Sequence, residues 1–517
     1  MSSNILDKLV TWVSPESGLR RQAARAISDK RVNRAGGYRS GKQGRTMKGW
    51  SAGSSDADSA TLADLQLLRD RSRDLIRDNP LALGVINTKV TSIVGTGLKL
   101  QSNVDHVTLG ISEEAASEWQ TATEKEFKLW AESTSCDVTN RLNFYGIQEL
   151  ALRSVLESGD VFILLPEVEK EGDPYSLRLQ LVEADRVRNS DNISDSSTLS
   201  GGIERDSFGA PLAYHISKTH PYAGYFASDG NEWDVVQANT PSGRPNLIHL
   251  FRQLRPNQNR GVPDLAPVID HLKQLERYTD AELNAAVVCG MFAVFLKTEN
   301  DGGLLTETTD SDGKSLDIEV NAGEMSIVET LPNEVVDTTV NPSRPNTAFD
   351  GFVMSVLRQI GAGLEIPYEI LIKHFSSSYS ASRASLLEAW RYYMGRRKWL
   401  ADNLCTVVYN QWLREAILNG RIKADGFFDD PAIRKAWAGA VWTGDASGQI
   451  DEMKEIRAAV ARVKAGMSTV TEETLKINGG DFDTNAARLK VEMSRLSKID
   501  RYDGDLVTPE PTENDNG

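Results

Sequence analysis

The chain has 517 residues, a formal net charge of −15, 40 % hydrophobic and 25 % charged content, an ordinary balance for a soluble globular protein of three or four domains. The acidic surplus excludes a protein that grips DNA through dense cations, and no apolar run approaches the ~18–20 residues of a membrane-spanning helix. The opening MSSNILDKLVTWVSPESG lacks a charged n-region and a small-residue cleavage site, so no secretory signal is expected. Cys136, Cys289 and Cys405 are far apart and odd in number, which predicts buried free thiols and synthesis in a reducing cytoplasm.

Residues 1–50 hold 11 Lys/Arg against 3 Asp/Glu, a local +8 that leaves −23 on the rest. This Gly/Ser-rich segment is either a basic arm for nucleic acid or an acidic partner, or a solvated tail. Helical spacing then runs from Ser59 to Asn79, where Asn79-Pro80 stops it, and from Leu81 to Val94, ending at Gly95-Thr-Gly97. Further helices are expected over Glu113–Ser133 and Tyr145–Glu157. The period then changes to two. Val161–Leu165 and Leu177–Leu181 read as strands about the turn Glu171-Gly-Asp-Pro174, and Gly202–Arg205 and Leu212–Ser217 as a hairpin about Asp206-Ser-Phe-Gly209.

An Arg/Asn/Gln-rich turn, Arg252 to Arg260, leads through Gly261 and Pro263 into about thirty residues of unbroken helical pattern ending near Phe292. With Pro263 at its first position, such a helix would be roughly 40 Å long. Residues 293–346 hold 11 Asp/Glu against Lys297, Lys314 and Arg344, with strand-like runs at Leu316–Val320 and Met325–Val328. This is a small acidic β module inserted between helices. Helical spacing returns from Phe349 to Leu364, breaks at Ile366-Pro367, and gives way to the polar loop Ser376–Ser380. A helix of up to forty residues is predicted from Ala381 to Asn419, kinked at Gly395 and stopped by Gly420. Pro431–Asn478 and Ala486–Lys498 read as helical, and the tail from Asp503 as disordered. The class is α+β, mainly α.

Enzyme signatures are absent. There is no G-x-S-x-G elbow and no HExxH, and Gly313-Lys314-Ser315 lacks the upstream glycine of a phosphate loop. No histidine pair stands at metal-ligand spacing beside a carboxylate, so no metal and no cofactor are expected. Thr308–Glu319 imitates a calcium loop at Asp310, Asp312, Gly313 and Glu319, but Thr occupies its first position and the pattern reads as an acidic turn. His374 beside Ser376, Ser377 and Ser378 suggests a nucleophile and base without an orienting acid, and a hydrolase built there is the alternative reading. Two helices flanking the acidic module can instead run side by side and carry it at their tip. A stalked protomer without an active site suggests a self-assembling structural part.

Several segments carry a resemblance. They are Arg77-Asp-Asn-Pro80 with Val94-Gly-Thr-Gly-Leu98, Glu157-Ser-Gly-Asp160, Leu179-Gln-Leu-Val-Glu-Ala-Asp185, Gly202-Ile-Glu-Arg-Asp206, and Arg255-Pro256 through Arg260-Gly-Val-Pro263. Gly363-Leu364 with Pro367-Tyr368, then Tyr379-Ser-Ala-Ser-Arg383 and Trp390, complete the set. In this order and spacing the chain resembles the lambda-type portal proteins of tailed bacteriophages over roughly residues 60–420. Residues 219–245 and 293–346 carry no matching motif, and Ala381 stands where the pattern has Ser.

The resemblance implies a ring, usually twelvefold, at one capsid vertex, with double-stranded DNA passing through it without sequence readout. It implies a flexible arm (1–60), a wing against the shell (61–260), a two-helix stem (261–292 and 347–365) and a β-rich clip (293–346). A tunnel loop (366–380), a kinked tunnel helix with the wing return (381–430), a helical crown (431–502) and a tail (503–517) complete it. Lys373, His374, Ser376, Ser377, Ser378, Tyr379 and Ser380 would face the DNA channel. Arg252, Arg255 and Arg260 would serve the wing–stem hinge or a neighbouring subunit, and Asp310, Asp312, Asp317 and Glu319 would form the clip's acidic surface. The implied partners are further copies of the chain, the large terminase subunit, the major capsid protein, scaffold and the head–tail adaptor, with no membrane. The implied place is the virion vertex, after assembly in the host cytoplasm. In that setting the acidic charge has a role: even screened over about 8 Å, it repels DNA phosphates and keeps the duplex centred. A different head or connector protein is the nearest alternative.

Overall fold

A computed structural model describes residues 53–221, 232–297, 326–330, 348–375, 378–446, 452–478, 480 and 482–496. The expectations for the basic arm, the calcium-like turn, the clip acids Asp310, Asp312, Asp317 and Glu319, Ser376, Ser377, the side chain of Tyr379 and the tail lie outside the described residues. The described residues from Ala57 onward form one compact unit.

The first helices form where the apolar spacing places them. α1 (Ala57–Asp78) ends before α2 (Pro80–Ile93), whose N-cap Asn79 accepts from the amides of Leu81 and Ala82, the usual way to satisfy first-turn donors. α3 (Glu113–Glu132) is capped by Ser112 and α4 (Phe144–Ser158) by Asn143. Between α2 and α3 lies β1 (Lys99–Ser102), a strand that the periodicity does not announce.

The β region follows. β2 (Asp160–Leu164) is the middle of an antiparallel sheet with β3 (Gln180–Val182) on one side and β8 (Leu247–Phe251) on the other. A second antiparallel sheet holds β4 (Leu199–Ser200), β5 (Ile203–Arg205), β6 (Pro211–Ser217) and β7 (Trp233–Gln237) in that order. Phe162, Val182, Ile203, Tyr214 and Ile216 pack a small core of their own beside these strands. The hairpin expected about Asp206–Gly209 is present, with the Asp206 carboxylate accepting from the amides of Phe208 and Ala210.

The long helix is shorter than its pattern. α5 spans Ile269–Met291, preceded by a tight 3₁₀ turn at Ala266–Val268. Pro267 has no N–H for the Pro263 carbonyl, so this stretch closes i→i−3 bonds instead, Ala266 to Pro263 at 3.0 Å and Val268 to Leu265 at 2.9 Å. The 23 residues of α5 make a rod of about 34 Å. The chain then enters β9 (Phe292–Lys297), which pairs in parallel with β10 (Ser326–Thr330). It returns as α6 (Phe349–Gly363), antiparallel to α5: Tyr278 meets Phe349 and Phe352, ring centroids 5.7 and 4.8 Å apart, while Gly363 lies against Val268. The side-by-side helix pair expected from the sequence is therefore present.

After the one-turn α7 (Tyr368–Leu371), α8 (Tyr379–Leu400) begins with Ser378 as its cap. The irregularity expected at Gly395 is not there; Gly395 sits inside α8, and the helix widens to a π turn at Ala401–Cys405 before continuing as α9 (Thr406–Leu418). Leu400, Leu404, Val408, Trp412 and Ala416 are all buried. This every-fourth ladder drifts by about 40° per step on a helix of 3.6 residues per turn. One wide turn takes back part of that drift and keeps the ladder facing the core.

The C-terminal third is not uniformly helical. α10 (Pro431–Trp437) leads to β11 (Ala440–Thr443), which pairs antiparallel with β1, Lys99 opposite Thr443. The run is too short for a helix and carries Val441 and Trp442, residues that fit a pleated surface. α11 (Glu452–Lys464), α12 (Val470–Asn478) and α13 (Phe482–Leu496) follow. The main core joins α2, α3, α4 and α9 around Phe127, whose ring lies 5.0–5.9 Å from those of Trp130, Phe144, Tyr409, Trp412 and Trp442. Cys136 and Cys405 are buried free thiols, as expected, and burial pushes the Cys136 thiol up to about 12.

Candidate functional site: the joint between body and helix pair

Asp160 opens β2 in an apolar run, Asp-Val-Phe-Ile-Leu, and is fully buried. A lone buried carboxylate is costly enough that it must be paired. Its oxygens accept from Arg69 Nη2 on α1 at 2.8 Å, from Arg260 Nε at 2.6 Å and Nη2 at 3.3 Å, and from the Gly261 amide at 3.2 Å. His249 Nε2 on β8 stands 3.3 Å away. Burial alone would raise the Asp160 carboxyl; Arg260 and Arg69 overcome it and hold the group far below the usual carboxylate range. Burial pulls Arg69 down to about 10 against the attraction of Asp160, and likewise lowers His249, whose ring is stacked between Phe162 and Phe251.

Arg260 spends its remaining donors on main-chain oxygens: Val187 at 2.7 Å, Gly201 at 2.7 Å and Ala184 at 2.8 Å. It thus ties the turn before α5 to both sheets. The two glycines of the joint make this approach possible. A Cβ on Gly261 would stand 1.9 Å from the Gly159 carbonyl oxygen, and one on Gly159, where φ is +94°, would stand 2.4 Å from that of Gly261. Only bare backbone fits at either position.

A second set of contacts runs along α1. Asp58 accepts from the Asn259 amide at 2.9 Å, its side chain at 2.6 Å and Ser200 at 3.0 Å. Asp185 accepts from Gln66 at 2.8 Å and from Arg73. Ligand atoms of Glu183, Asp185 and His220 come within 4.8 Å of one another. Arg73 lies on Asp185 and 3.4 Å from Glu183, so a guanidinium already supplies the positive charge there. Lys89, the one charge on α2, is 1 % exposed and reaches Asp264 at 2.6 Å, which fixes the start of the helix pair to the body.

The arginines of the turn therefore differ in kind. Arg260 is buried in the protomer's own network and is unavailable to a neighbouring subunit. Arg252 is exposed and lies 3.5 Å from Glu365 at the end of α6, and Arg255 is exposed. In the loop before α8, Lys373 and His374 are exposed, with Lys373 at a positive φ of 54°. Among the described residues no acid pairs with His374. Ser378 caps α8, and Tyr379 and Ser380 belong to its first turn rather than to a loop. Sequence reasoning singled out Arg260 for the hinge or a neighbouring subunit, noticed Asp160 only inside a motif, and missed Arg69, Lys89, His249 and Asp264. A usable signal was present: Arg69 and Lys89 sit on the apolar faces of their helices, where a charge needs a buried partner.

We predict that Asp160→Asn, which leaves two buried guanidinium groups without their counter-charge, lowers the unfolding free energy in urea by about 3–5 kcal/mol. A loss within 0.5 kcal/mol would mean that the network contributes little to holding the fold.

The comparisons with known proteins cover most of the chain. The family model for "Phage portal protein, lambda family" matches residues 43–397. The chain is similar to the portal protein of Escherichia phage N15, 28 % identical over 475 residues that cover 87 % of this chain and 88 % of that one. It is also similar to portal protein B of Escherichia phage lambda, 27 % identical over 470 residues, 86 % and 87 % of the two chains. Among solved structures it is similar to a chain in the neck of an empty gene transfer agent particle, with a TM-score of 0.42 and 10 % identity over 78 % of this chain and 93 % of that one. The chain belongs to the lambda family of phage portal proteins, which are structural and non-enzymatic components.

Proposed function

We propose that copies of this chain form a closed, twelvefold ring at the capsid vertex, whose lumen carries double-stranded DNA during packaging and ejection. The observation that carries the ring is the set of apolar side chains left in water along the helix pair and α8. Leu283 is 64 % exposed, Val287 52 %, Phe352 50 % and Leu387 53 %. Exposed together on long helices, such groups mark a surface that association covers. In this reading α5 and α6 are the stem, and residues 293–346 at its tip are the clip that docks the large terminase subunit and later the head–tail adaptor. Asp310, Asp312, Asp317 and Glu319 give that clip its acidic surface. Residues 61–260, with the return through α9 and β11, are the wing against the major capsid protein and scaffold. The pairing of β11 with β1 supports a crown that starts at Glu452 rather than at Pro431.

The tunnel loop reads as the segment from Ile372 to Ser378, between α7 and α8, presenting Lys373, His374 and the serines to the DNA. Tyr379 and Ser380 extend that surface onto the first turn of α8. A net charge of −15 per copy makes the ring as a whole repel phosphates, and sparse cations such as Lys373 touch the backbone without trapping it. Arg252 and Arg255 remain at the hinge between wing and stem. Assembly takes place in the host cytoplasm.

Negative-stain imaging of the purified chain tests the ring: particles with a central hole are expected, and a population of compact monomers would reject it. Deletion of 374–380 should leave rings intact and impair packaging or retention of DNA. Normal DNA content in particles carrying that deletion would remove the loop from the channel.

A further inference from the structure

A cavity of about 130 Å³ opens where α2, α8 and the two ends of the helix pair meet, lined by Lys89, Arg252, Asp264, Gly363, Glu365 and Arg396 among others. This is well above the roughly 10–15 Å³ that a single water needs on the same measure. Its charges do not cancel. Lys89 is met by Asp264 at 2.6 Å and Arg252 by Glu365 at 3.5 Å. Arg396, 8 % exposed, has no carboxylate partner among the described residues, and its buried Nε has no hydrogen-bond partner. The Trp399 ring lies 4.9 Å from its guanidinium carbon. A buried guanidinium nitrogen without an acceptor is unfavourable, and the cavity that Arg396 lines has room for the missing acceptor.

We propose that this cavity binds a small inorganic oxyanion of the phosphate class. Arg396 is its principal ligand and Lys89, which has donors beyond the one given to Asp264, is the second. The guanidinium offers a planar fork that matches an oxyanion, and the ammonium closes the other side. An anion there bridges α8 to α2 and to the first turn of the helix pair, so occupancy stiffens the joint between stem and wing. The inference rests on one protomer's own geometry and is independent of the ring.

The test is thermal unfolding of the full chain in phosphate against chloride at equal ionic strength, with isothermal titration of phosphate into the wild-type protein. A saturable upward shift of the unfolding temperature is expected for wild type. It should be lost in Arg396→Met and retained in Arg391→Gln, which removes the same charge from an exposed position. No saturable heat or shift in wild type, or an equal shift in Arg396→Met, overturns the site. Loss of ring assembly in Arg396→Met together with no phosphate effect in wild type also overturns it. In that case a carboxylate of a second copy is what meets Arg396.

Discussion

The burial of Asp160 is the constraint on which the rest of the structure depends. A carboxylate with no exposure at the head of an interior strand can persist only if cations come to it. Here they come from far apart in the chain, Arg69 from α1 and Arg260 from the turn that launches the helix pair. Because Arg260 also binds the carbonyl oxygens of residues 184, 187 and 201, one side chain sets the position of the first helix, both sheets and the exit toward α5. The Gly159–Gly261 contact closes the same joint from the backbone side. A buried ionic network of this kind contributes less net stability than apolar packing of equal volume; what it adds is a single permitted arrangement of the parts it connects.

Much of this was legible in the sequence, and in an instructive way. The first four helices, the hairpin about Asp206 and the antiparallel helix pair follow from period and punctuation. Asn79-Pro80 and Gly420 end helices where their chemistry says they must. Three of the segments that carried the family resemblance, Glu157-Ser-Gly-Asp160, the run ending at Asp185 and Arg260-Gly-Val-Pro263, turn out to be wired to one another. They mark the fold's joints rather than a reactive centre. What escaped was long-range. β1 and β11 are four residues each and lie far apart in the chain, so neither has a local signal strong enough to announce a strand. The π turn at Ala401–Cys405 reflects which face the core needs, whereas Gly395 offered only permission to bend. Pro267 was a local signal, hidden inside an otherwise helical stripe.

The same asymmetry governs the candidate site. Exposed polar groups such as Lys373 and His374 can be picked out from a loop sequence, but the role proposed for them depends on copies that only assembly brings together. Buried groups such as Lys89 and Asp264 are the reverse: their partners lie within one protomer, far away along the chain. A conduit needs both kinds. In the proposed ring, the joints would hold the helix pair at a fixed angle to the body while the lumen stays weakly interacting, and buried pairs inside with a like-charged bulk outside suit both demands.

The most direct measurement of this account is hydrogen exchange on the assembled full chain, comparing wild type with Arg260→Met. If Arg260 is the bolt of the joint, protection is lost together in the first turns of α5, at the start of β2 and along α1, which are distant in sequence and meet at the Asp160 network. Loss confined to residues 257–262, with α1 and α5 exchanging as in wild type, would contradict it.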